Sequence, residues 1–499
     1  MSTSRVAVRG AFVFALLITA AAMGQTTQPV NITVDTSTRF QTIEGFGTAL
    51  AQGTPTFSSQ LLNMYTQDLG LSILRVPLDP NVIPGQITLG PDVQSNINLM
   101  NFNYYPQSGW GYFAQQVTAN KLDQMKIIAT IWSPPAWMKT SNSQNGGALI
   151  QTPQNLQQFA RYVAAYVEGF QQAYGVPLYA VSIQNELRFS EPYPSTTYNP
   201  TQYVAALKAV GAEFAADGIT TKIMGPEDVG VDGGSITADQ MSFINAVKAD
   251  PVANSYLGFY VIHGYAGNGS TASSSGANWA QYWNQIAGNG KESWQTEESG
   301  EDPSWVHFNS SGVPDGALAV ALNMHEGLVY GNLNAWVYWQ LDDGKTPVSQ
   351  FTLESGQDPT SLKYNAFKHY SKFIRPGDVR VNATPDNAAG ISVDAWVDDT
   401  NHLLIVNLIN ASAYDTQTTV AIPNTNFTSF SQVISTATQP WATLPDVQVQ
   451  NGAVSLLVPA NSIITLQSDG IAVPLPEPTG LTGVALFTLF LGRSRRSGV

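Results

Sequence analysis

Eight short apolar runs recur along the first three-quarters of this 499-residue chain, at 42–49, 72–78, 126–132, 179–186, 222–227, 258–265, 293–298 and 334–341. Most are continuous rather than alternating. That is the pattern of strands buried on both faces, as in a parallel sheet. Helical stripes lie between several of them. Residues 155–174 place Leu156, Phe159, Ala160, Val163, Tyr166 and Val167 at a 3.6-residue spacing, and 203–216 and 316–329 read the same way. Strand–helix alternation through eight rounds predicts a (β/α)8 TIM barrel.

After about Arg375 the helical period disappears. Short β-rich runs follow at 390–397, 403–408, 418–422, 430–435, 454–458 and 463–466, separated by Asn, Asp, Gly and Pro. They predict an attached all-β sandwich. The early run 30–34 precedes the first barrel strand and is expected to join it. Arg5 and Arg9, the apolar run 11–22 and the small residues after it read as a secretory signal ending near Gly24. At the other end, Pro476-Glu477-Pro478 precedes an apolar run, 479–491, and then Arg493, Arg495 and Arg496. That run is short of the about 20 residues a spanning helix needs. The order of these three parts resembles the PEP-CTERM sorting signal, which implies processing by an exosortase-like system; a plain C-terminal anchor is the alternative. The expected organisation is a signal peptide at 1–24, a leading segment at 25–42, a barrel at 43–375, a sandwich at 376–468 and a linker with sorting tail at 469–499. Signal peptidase and the exosortase-like system are the expected export partners, and the product is extracellular or attached to the envelope.

Composition narrows the chemistry. Charged residues are 12% of the chain and the net charge is −14, a poor balance for holding phosphates, so no nucleic-acid partner is expected. There is no cysteine, which excludes disulfides, thiolate zinc sites and cysteine nucleophiles. The five histidines form no HExxH pattern, so no metal centre is expected, and no GxSxG occurs, so the usual serine-hydrolase elbow has no candidate; the two-carboxylate chemistry argued below needs neither a metal nor an organic cofactor. Nothing in the sequence sets an oligomeric state.

In a TIM barrel the C-terminal ends of the strands build the active site. The fourth run ends Gln184-Asn185-Glu186 and the seventh ends Gln295-Thr296-Glu297-Glu298. Two inward carboxylates facing each other across the barrel mouth suit glycoside hydrolysis, one as acid and one as anion; a separation of about 5–5.5 Å makes the mechanism retaining. Asn185 is placed to bond a sugar 2-hydroxyl. Arg75, ending the second run, is placed to hold a carboxylate ionised, or else to form a structural ion pair. Tyr265 is a candidate donor to the same carboxylate. His263 reads equally as a site residue or a satisfied core histidine. Trp339 offers an aromatic face to a pyranose, with an ordinary core tryptophan as its rival. Trp132 and Trp137 flank Pro134-Pro135 on a stiffened loop at the barrel mouth and add stacking surface.

Together these segments resemble glycoside hydrolase family 30. The matching stretches are Ile43-Glu44-Gly45-Phe46-Gly47, Ser72-Ile73-Leu74-Arg75-Val76, Trp132 through Lys139, Ser182-Ile183-Gln184-Asn185-Glu186, Trp294-Gln295-Thr296-Glu297 and Tyr370-Ser371-Lys372-Phe373-Ile374-Arg375-Pro376-Gly377. The resemblance implies a retaining enzyme whose sandwich is built from both chain ends. It implies Glu186 as acid/base and Glu297 as nucleophile, and leaves Glu298 without a role. The stretch 177–186 is most similar to the bacterial xylanase branch. Two departures stand out. Leu187 follows Glu186 where the family usually has proline. The loop after the eighth run reads Gln340-Leu341-Asp342-Asp343-Gly344-Lys345, where glucuronate-requiring members carry arginine. Two acids there repel a glucuronate, with Lys345 a partial offset.

The leading expectation is therefore an endo-β-1,4-xylanase acting on a plant-type polysaccharide. Other family activities remain beside it: β-1,6-glucanase, β-1,6-galactanase, a glucosylceramidase-like or an exo-acting enzyme. A carbohydrate-binding pseudoenzyme would not need both Glu186 and Glu297. An envelope structural protein would leave the carboxylates and site aromatics without a purpose.

Overall fold

The computed structural model describes residues 28–50, 58–102, 109–121, 124–228, 238–265, 275–300, 302–308, 310, 314–343, 351–387 and 390–470. The signal and the sorting tail expected at the two ends, and Lys345, lie outside the described residues. Among the described residues no helix is long and apolar enough to cross a membrane.

The first strand, β1 (Val30–Thr42), belongs to a sheet completed only at the far end of the chain. Two residues later the barrel begins. Its strands are β2 (Gly45–Ala49), β3 (Ile73–Pro77), β4 (Lys126–Thr130), β5 (Leu178–Ser182), β6 (Lys222–Met224), β7 (Leu257–His263), β8 (Ser293–Glu297) and β9 (Ala335–Tyr338). They form a closed barrel in chain order, with β2 pairing β9 in parallel. All eight apolar runs become barrel strands. Most runs overshoot the strand's C-terminal end because loop residues there are also buried, among them Leu78, Ile131, Ile183 and Leu341. The first run starts too early instead. Ile43 and Glu44 turn the chain from one sheet into the other, and Gly45 sits at φ 142° with the Ser72 hydroxyl where a Cβ would be. A side chain there would have to displace the Ser72 hydroxyl.

The helices are bounded by the signals the sequence carries. Thr152 caps Pro153–Tyr174 through the Asn155 N–H, and Gly175 ends it in the left-handed region at φ 70°. Pro200–Asp217 starts from an Asn199–Gln202 capping box and ends at Gly218. The third helix expected spans Ala317–Val329. Phe159, Ala160, Val163, Tyr166 and Val167 of the first helix are all buried against the barrel's outer face. Inside the barrel a second apolar layer contains Ile73, Ile128, Ala180, Met224, Phe259, Val261, Trp294, Ala335 and Val337.

The remaining strands are β10 (Val379–Pro385), β11 (Ile391–Asp398), β12 (Leu403–Asn410), β13 (Thr416–Ala421), β14 (Ser429–Ser435), β15 (Ala442–Gln448), β16 (Ala453–Val458) and β17 (Ser462–Ser468). With β1 they form one nine-stranded sheet in the order β15-β14-β17-β12-β11-β10-β1-β13-β16. β1 runs antiparallel to β10 and parallel to β13. The sheet curls over so that its ends enclose a core of Val30, Ile32, Val34, Ala395, Val406, Leu408, Val420, Val454 and Leu466, among others. The expected all-β domain is thus a single folded-over sheet.

Period-2 alternation joins the two halves. Ala395 and Val397 point into the sheet's own core, whereas Trp396 between them packs into the barrel's. Ile405, Ile409 and Ile463 do the same between Val406, Leu408 and Ile464. Buried polar groups on that junction are paired. Asp394 accepts from Tyr370 Oη at 2.9 Å, Trp396 Nε1 at 2.6 Å and Asn407 Nδ2 at 3.0 Å, and meets His325 Nδ1 at 3.0 Å. His369 bonds Thr465 Oγ1 at 2.7 Å and Ser435 Oγ at 2.8 Å. Burial and the neighbouring Lys368 charge pull the His369 ring down to about 3, so it is neutral.

Candidate active site

The same alternation builds the barrel mouth. Phe259 and Val261 face the barrel interior, so His263 does too, one step nearer the C-terminal end. Ile73 leads in this way to Arg75, Ile128 to Thr130 and Trp132, and Val337 to Trp339. Strand β8 breaks the rule. From Trp294, alternation would bring Thr296 and Glu298 inward. Pairing with β7 instead steps from Ile262↔Gln295 to His263↔Glu297, so β8 carries one extra residue. This bulge re-aims Glu297 toward the mouth, a common device beside active sites. Glu298 is left fully buried, where its charge acts on Tyr338 and Lys363.

Arg75 is the hub. Its Nη1 donates to Glu297 Oε2 at 2.6 Å and its Nη2 to Asn185 Oδ1 at 2.7 Å. Nη2 also lies 3.1 Å from Glu227 Oε1, and Nε donates to Thr130 Oγ1 at 3.2 Å. Its guanidinium stacks 4.7 Å from the Trp132 ring centre and 5.7 Å from that of Trp339. The two indoles are themselves in contact, 5.7 Å apart at 43°. Tyr265 Oη donates to the other oxygen of Glu297 at 3.2 Å. His263 Nδ1 is 3.2 Å from Glu186 Oε1, and its Nε2 is 3.7 Å from both Glu227 Oε1 and Glu297 Oε2.

Glu186 follows β5 on a short extension bridged to the end of β6. Its N–H bonds the Glu227 carbonyl at 2.8 Å, and Asn185 N–H bonds the Ile131 carbonyl at 2.7 Å. Glu186 has φ 45°, the left-handed region that a non-glycine residue enters at a cost of about 1–2 kcal/mol. Backbone strain of this kind concentrates where a side chain must point one way.

The charges are strongly perturbed. Burial alone pulls the His263 ring down, but Glu297, Glu186 and Glu227 outweigh it and lift it to about 10. Burial pushes the Glu227 carboxyl up, yet Arg75, His263 and Thr296 hold it at about 2. Burial raises the Glu297 carboxyl, with His263 and Arg75 pulling against the rise and Glu186 adding to it. Near neutral pH the site thus holds two cations, Arg75 and His263, facing three carboxyl groups. Donor atoms of Glu186, His263 and Glu297 lie within 4.8 Å of one another, close enough to hold a cation.

Of the residues singled out from sequence, Arg75, Trp132, Asn185, Glu186, His263, Tyr265, Glu297 and Trp339 fall into one cluster. Trp137 does not share these contacts; it lies half-buried against the barrel core beside Met138. Sequence reading passed over Glu227 and Thr130, although Thr130 Oγ1 donates to Glu227 Oε2 at 3.0 Å. Glu227 ends the fifth apolar run and met the same strand-end criterion as Glu186. Beyond β9, Asp342 and Asp343 are buried, and burial together with Asp342 raises Glu354 to about 8.

Comparison with known proteins agrees with this architecture. Residues 43–228 match the glycosyl hydrolase family 30 TIM-barrel domain. Glucuronoxylanase XynC of Bacillus subtilis (strain 168) is 23% identical over 459 residues, which cover 87% of this chain and 91% of that protein. The endo-1,6-β-D-glucanase of Neurospora crassa is 30% identical over 216 residues, 38% of this chain and 42% of its own. Among solved structures, the family 30 subfamily 8 xylanase Xyn30A of Clostridium acetobutylicum superposes with a TM-score of 0.70 at 25% identity, covering 88% of this chain and 99% of that one. With strand-end carboxylates gathered at a closed barrel's mouth and residues 43–228 matching the family 30 barrel domain, the chain is a glycoside hydrolase.

Proposed function

We propose that this chain is an exported endo-β-1,4-xylanase that works by retaining double displacement. The observation that carries the reading is the spacing of Glu186 and Glu297, whose nearest side-chain oxygens lie within 4.8 Å. Retaining enzymes need about 5–5.5 Å between carboxyl groups, whereas an inverting pair needs about 6.5–9.5 Å to admit a water. Glu297 is the nucleophile, because Arg75 and Tyr265 each hold one of its oxygens and fix its attack angle. Glu186 is the acid/base and is the more exposed of the two, as proton exchange with water requires.

In the first step a Glu297 oxygen bonds the anomeric carbon while Glu186 gives its proton to the departing glycosidic oxygen. In the second, Glu186 takes a proton from water, whose oxygen displaces Glu297 from the sugar. Asn185 spends its carbonyl on Arg75, which leaves its amide N–H groups to donate to a sugar 2-hydroxyl, a contact that strengthens in the transition state. Trp132 and Trp339 form an aromatic wall beside Arg75 for the pyranose C–H face.

The xylan assignment rests on the relatives named above and on stretch 177–186. Asp342 and Asp343 argue that a glucuronate side group is not required. The β-1,6-glucanase reading is supported by the N. crassa enzyme's higher identity over the shorter stretch. Purified protein offered linear arabinoxylan, glucuronoxylan, β-1,6-glucan and β-1,6-galactan separates these readings. Xylo-oligomers from both xylans, released first as the β-anomer and lost in Glu297→Ala, are the expected result. Cleavage of a β-1,6 polymer alone overturns the substrate. Binding without cleavage points to the pseudoenzyme, and full activity in Glu297→Ala overturns the nucleophile. Export with removal of 1–24, and processing of the tail at 469–499, are checked by the mass of the mature protein.

A further inference from the structure

Glu227 is fully buried, as are Arg75 and His263, and it contacts both. It sits outside the two-carboxylate mechanism, three residues past β6, in the bridge that also fixes Glu186. A buried carboxylate with no part in the chemistry is expensive to keep. We propose that Glu227 is a positioning residue for the double displacement: its fixed negative charge keeps His263 protonated and Arg75 seated on Glu297, so that net charge in the mouth stays constant through both steps. This rests on the roles proposed for Glu186 and Glu297.

The charge count carries it. Before reaction Arg75 and His263 are positive, Glu227 and Glu297 negative, and Glu186 holds a proton, which sums to zero. In the covalent intermediate Glu297 is an uncharged ester and Glu186, having given up its proton, is negative, which again sums to zero. Without Glu227 both states carry an uncompensated positive charge in a dry site. The geometry is specific as well. Nη2 of Arg75 is shared between Glu227 and Asn185, and Thr130 bonds both Arg75 and Glu227, so the guanidinium is clamped from two sides. The charged and titratable groups around His263 are Arg75 from β3, Glu186 after β5, Glu227 after β6, Tyr265 after β7 and Glu297 from β8. The Arg188–Asp228 pair lies next along the chain from Glu227. Of the three carboxyl groups facing His263, Glu227 alone keeps one charge throughout the cycle.

The test is a pH titration of the five histidine rings by NMR in protein labelled at histidine, with His263 assigned by its loss in His263→Asn. In the wild type the His263 ring is expected to stay protonated beyond pH 8. In Glu227→Gln its titration is expected to move at least tenfold in proton concentration toward acid, with both limbs of the kcat/KM–pH profile moving the same way. Glu227→Asp keeps the charge and withdraws the carboxylate; its profile should hold its position while kcat falls about tenfold and KM stays within twofold. A folded Glu227→Gln whose His263 titration is unmoved overturns the proposal. So does a wild-type His263 that titrates like a free imidazole. If Glu227→Gln does not fold, wild-type kcat in Glu227→Asp overturns it instead. The ring titration needs no substrate, so it fails or succeeds apart from the assignment of Glu186 and Glu297. That assignment is checked separately, by azide restoring turnover to the alanine variants on an activated aryl glycoside.

Discussion

Two buried polar networks flank the same barrel, one in its mouth and one where the helices 317–329 and 362–371 meet the β-sheet, and each is built around histidine and carboxylate. At the junction with the β-sheet, His369 has both ring nitrogens bonded at 2.7 and 2.8 Å and is held neutral at about 3. In the mouth, His263 is equally buried, yet its Nε2 stands 3.7 Å from two carboxylates with no hydrogen bond, and its ring is raised to about 10. Burial alone pulls both rings down. What separates them is the neighbourhood: hydroxyls and a lysine around one, three glutamates around the other. At the junction the His369 ring and the Asp394 carboxylate are fully hydrogen-bonded. The mouth keeps geometry looser than hydrogen bonding would choose and charges that a substrate can rearrange.

The sharpest way to break the comparison is to remove one carboxylate from each network. Glu297→Ala should lower kcat by roughly four orders of magnitude while leaving the fold standing, since it removes an interaction made in the transition state; thermal melting beside turnover on xylan checks both halves. Asp394→Ala should do the reverse. It strands donors on Tyr370, Trp396 and Asn407, at about 1–3 kcal/mol for each group left buried without a partner. The melting temperature should fall by several degrees with KM unchanged.

A smaller effect follows from pH. The unfolded chain protonates His369 near 6.5 and the folded one near 3, so the unfolded state binds more protons between those values, and stability falls as pH falls through that window. His263 has the opposite sign. Its folded form holds the proton up to about 10, so its contribution is present below 6.5 and is lost as pH rises toward 10. Each slope is about 1 kcal/mol per pH unit within its window. Urea midpoints measured across pH should flatten on the acid side in His369→Asn and on the alkaline side in His263→Asn. The smallest change expected is in Arg39→Ala, which opens the exposed pair with Asp399 and should shift stability by less than about 1 kcal/mol. A shift as large as that of Asp394→Ala would erase the distinction between buried and exposed pairs.

Much of the barrel is legible in the sequence because buried parallel strands are apolar on both faces and stand out against polar loops. The sheet is less so. β15 reads Ala-Thr-Leu-Pro-Asp-Val-Gln on an exposed edge, and β10 reads Val-Arg-Val-Asn-Ala-Thr-Pro, so neither carries an apolar run long enough to announce itself. In β1 only Val30, Ile32 and Val34 show the alternation; the strand continues to Thr42 through exposed Thr, Ser and Arg. At the site, strand-end residues such as Arg75 and His263 follow from position alone. Glu297 does not, because alternation from Trp294 favours its neighbours and only the bulge, a tertiary feature, turns it inward. Glu227 met the positional rule but draws its meaning from Arg75 and His263, which come from strands β3 and β7.

The path of β1 has a consequence for how the protein is made. Its antiparallel partner β10 is synthesised about 340 residues later, after the whole barrel, and at a usual elongation rate of roughly 5–20 residues per second that is a wait of order half a minute. Throughout that interval the nascent chain carries a β-strand with neither edge occupied, tethered two residues from a barrel that is itself unfinished until β9 meets β2. The stretch from β10 to β13 therefore covers both edges of β1, and a chain released before it is made would present an open edge to its neighbours.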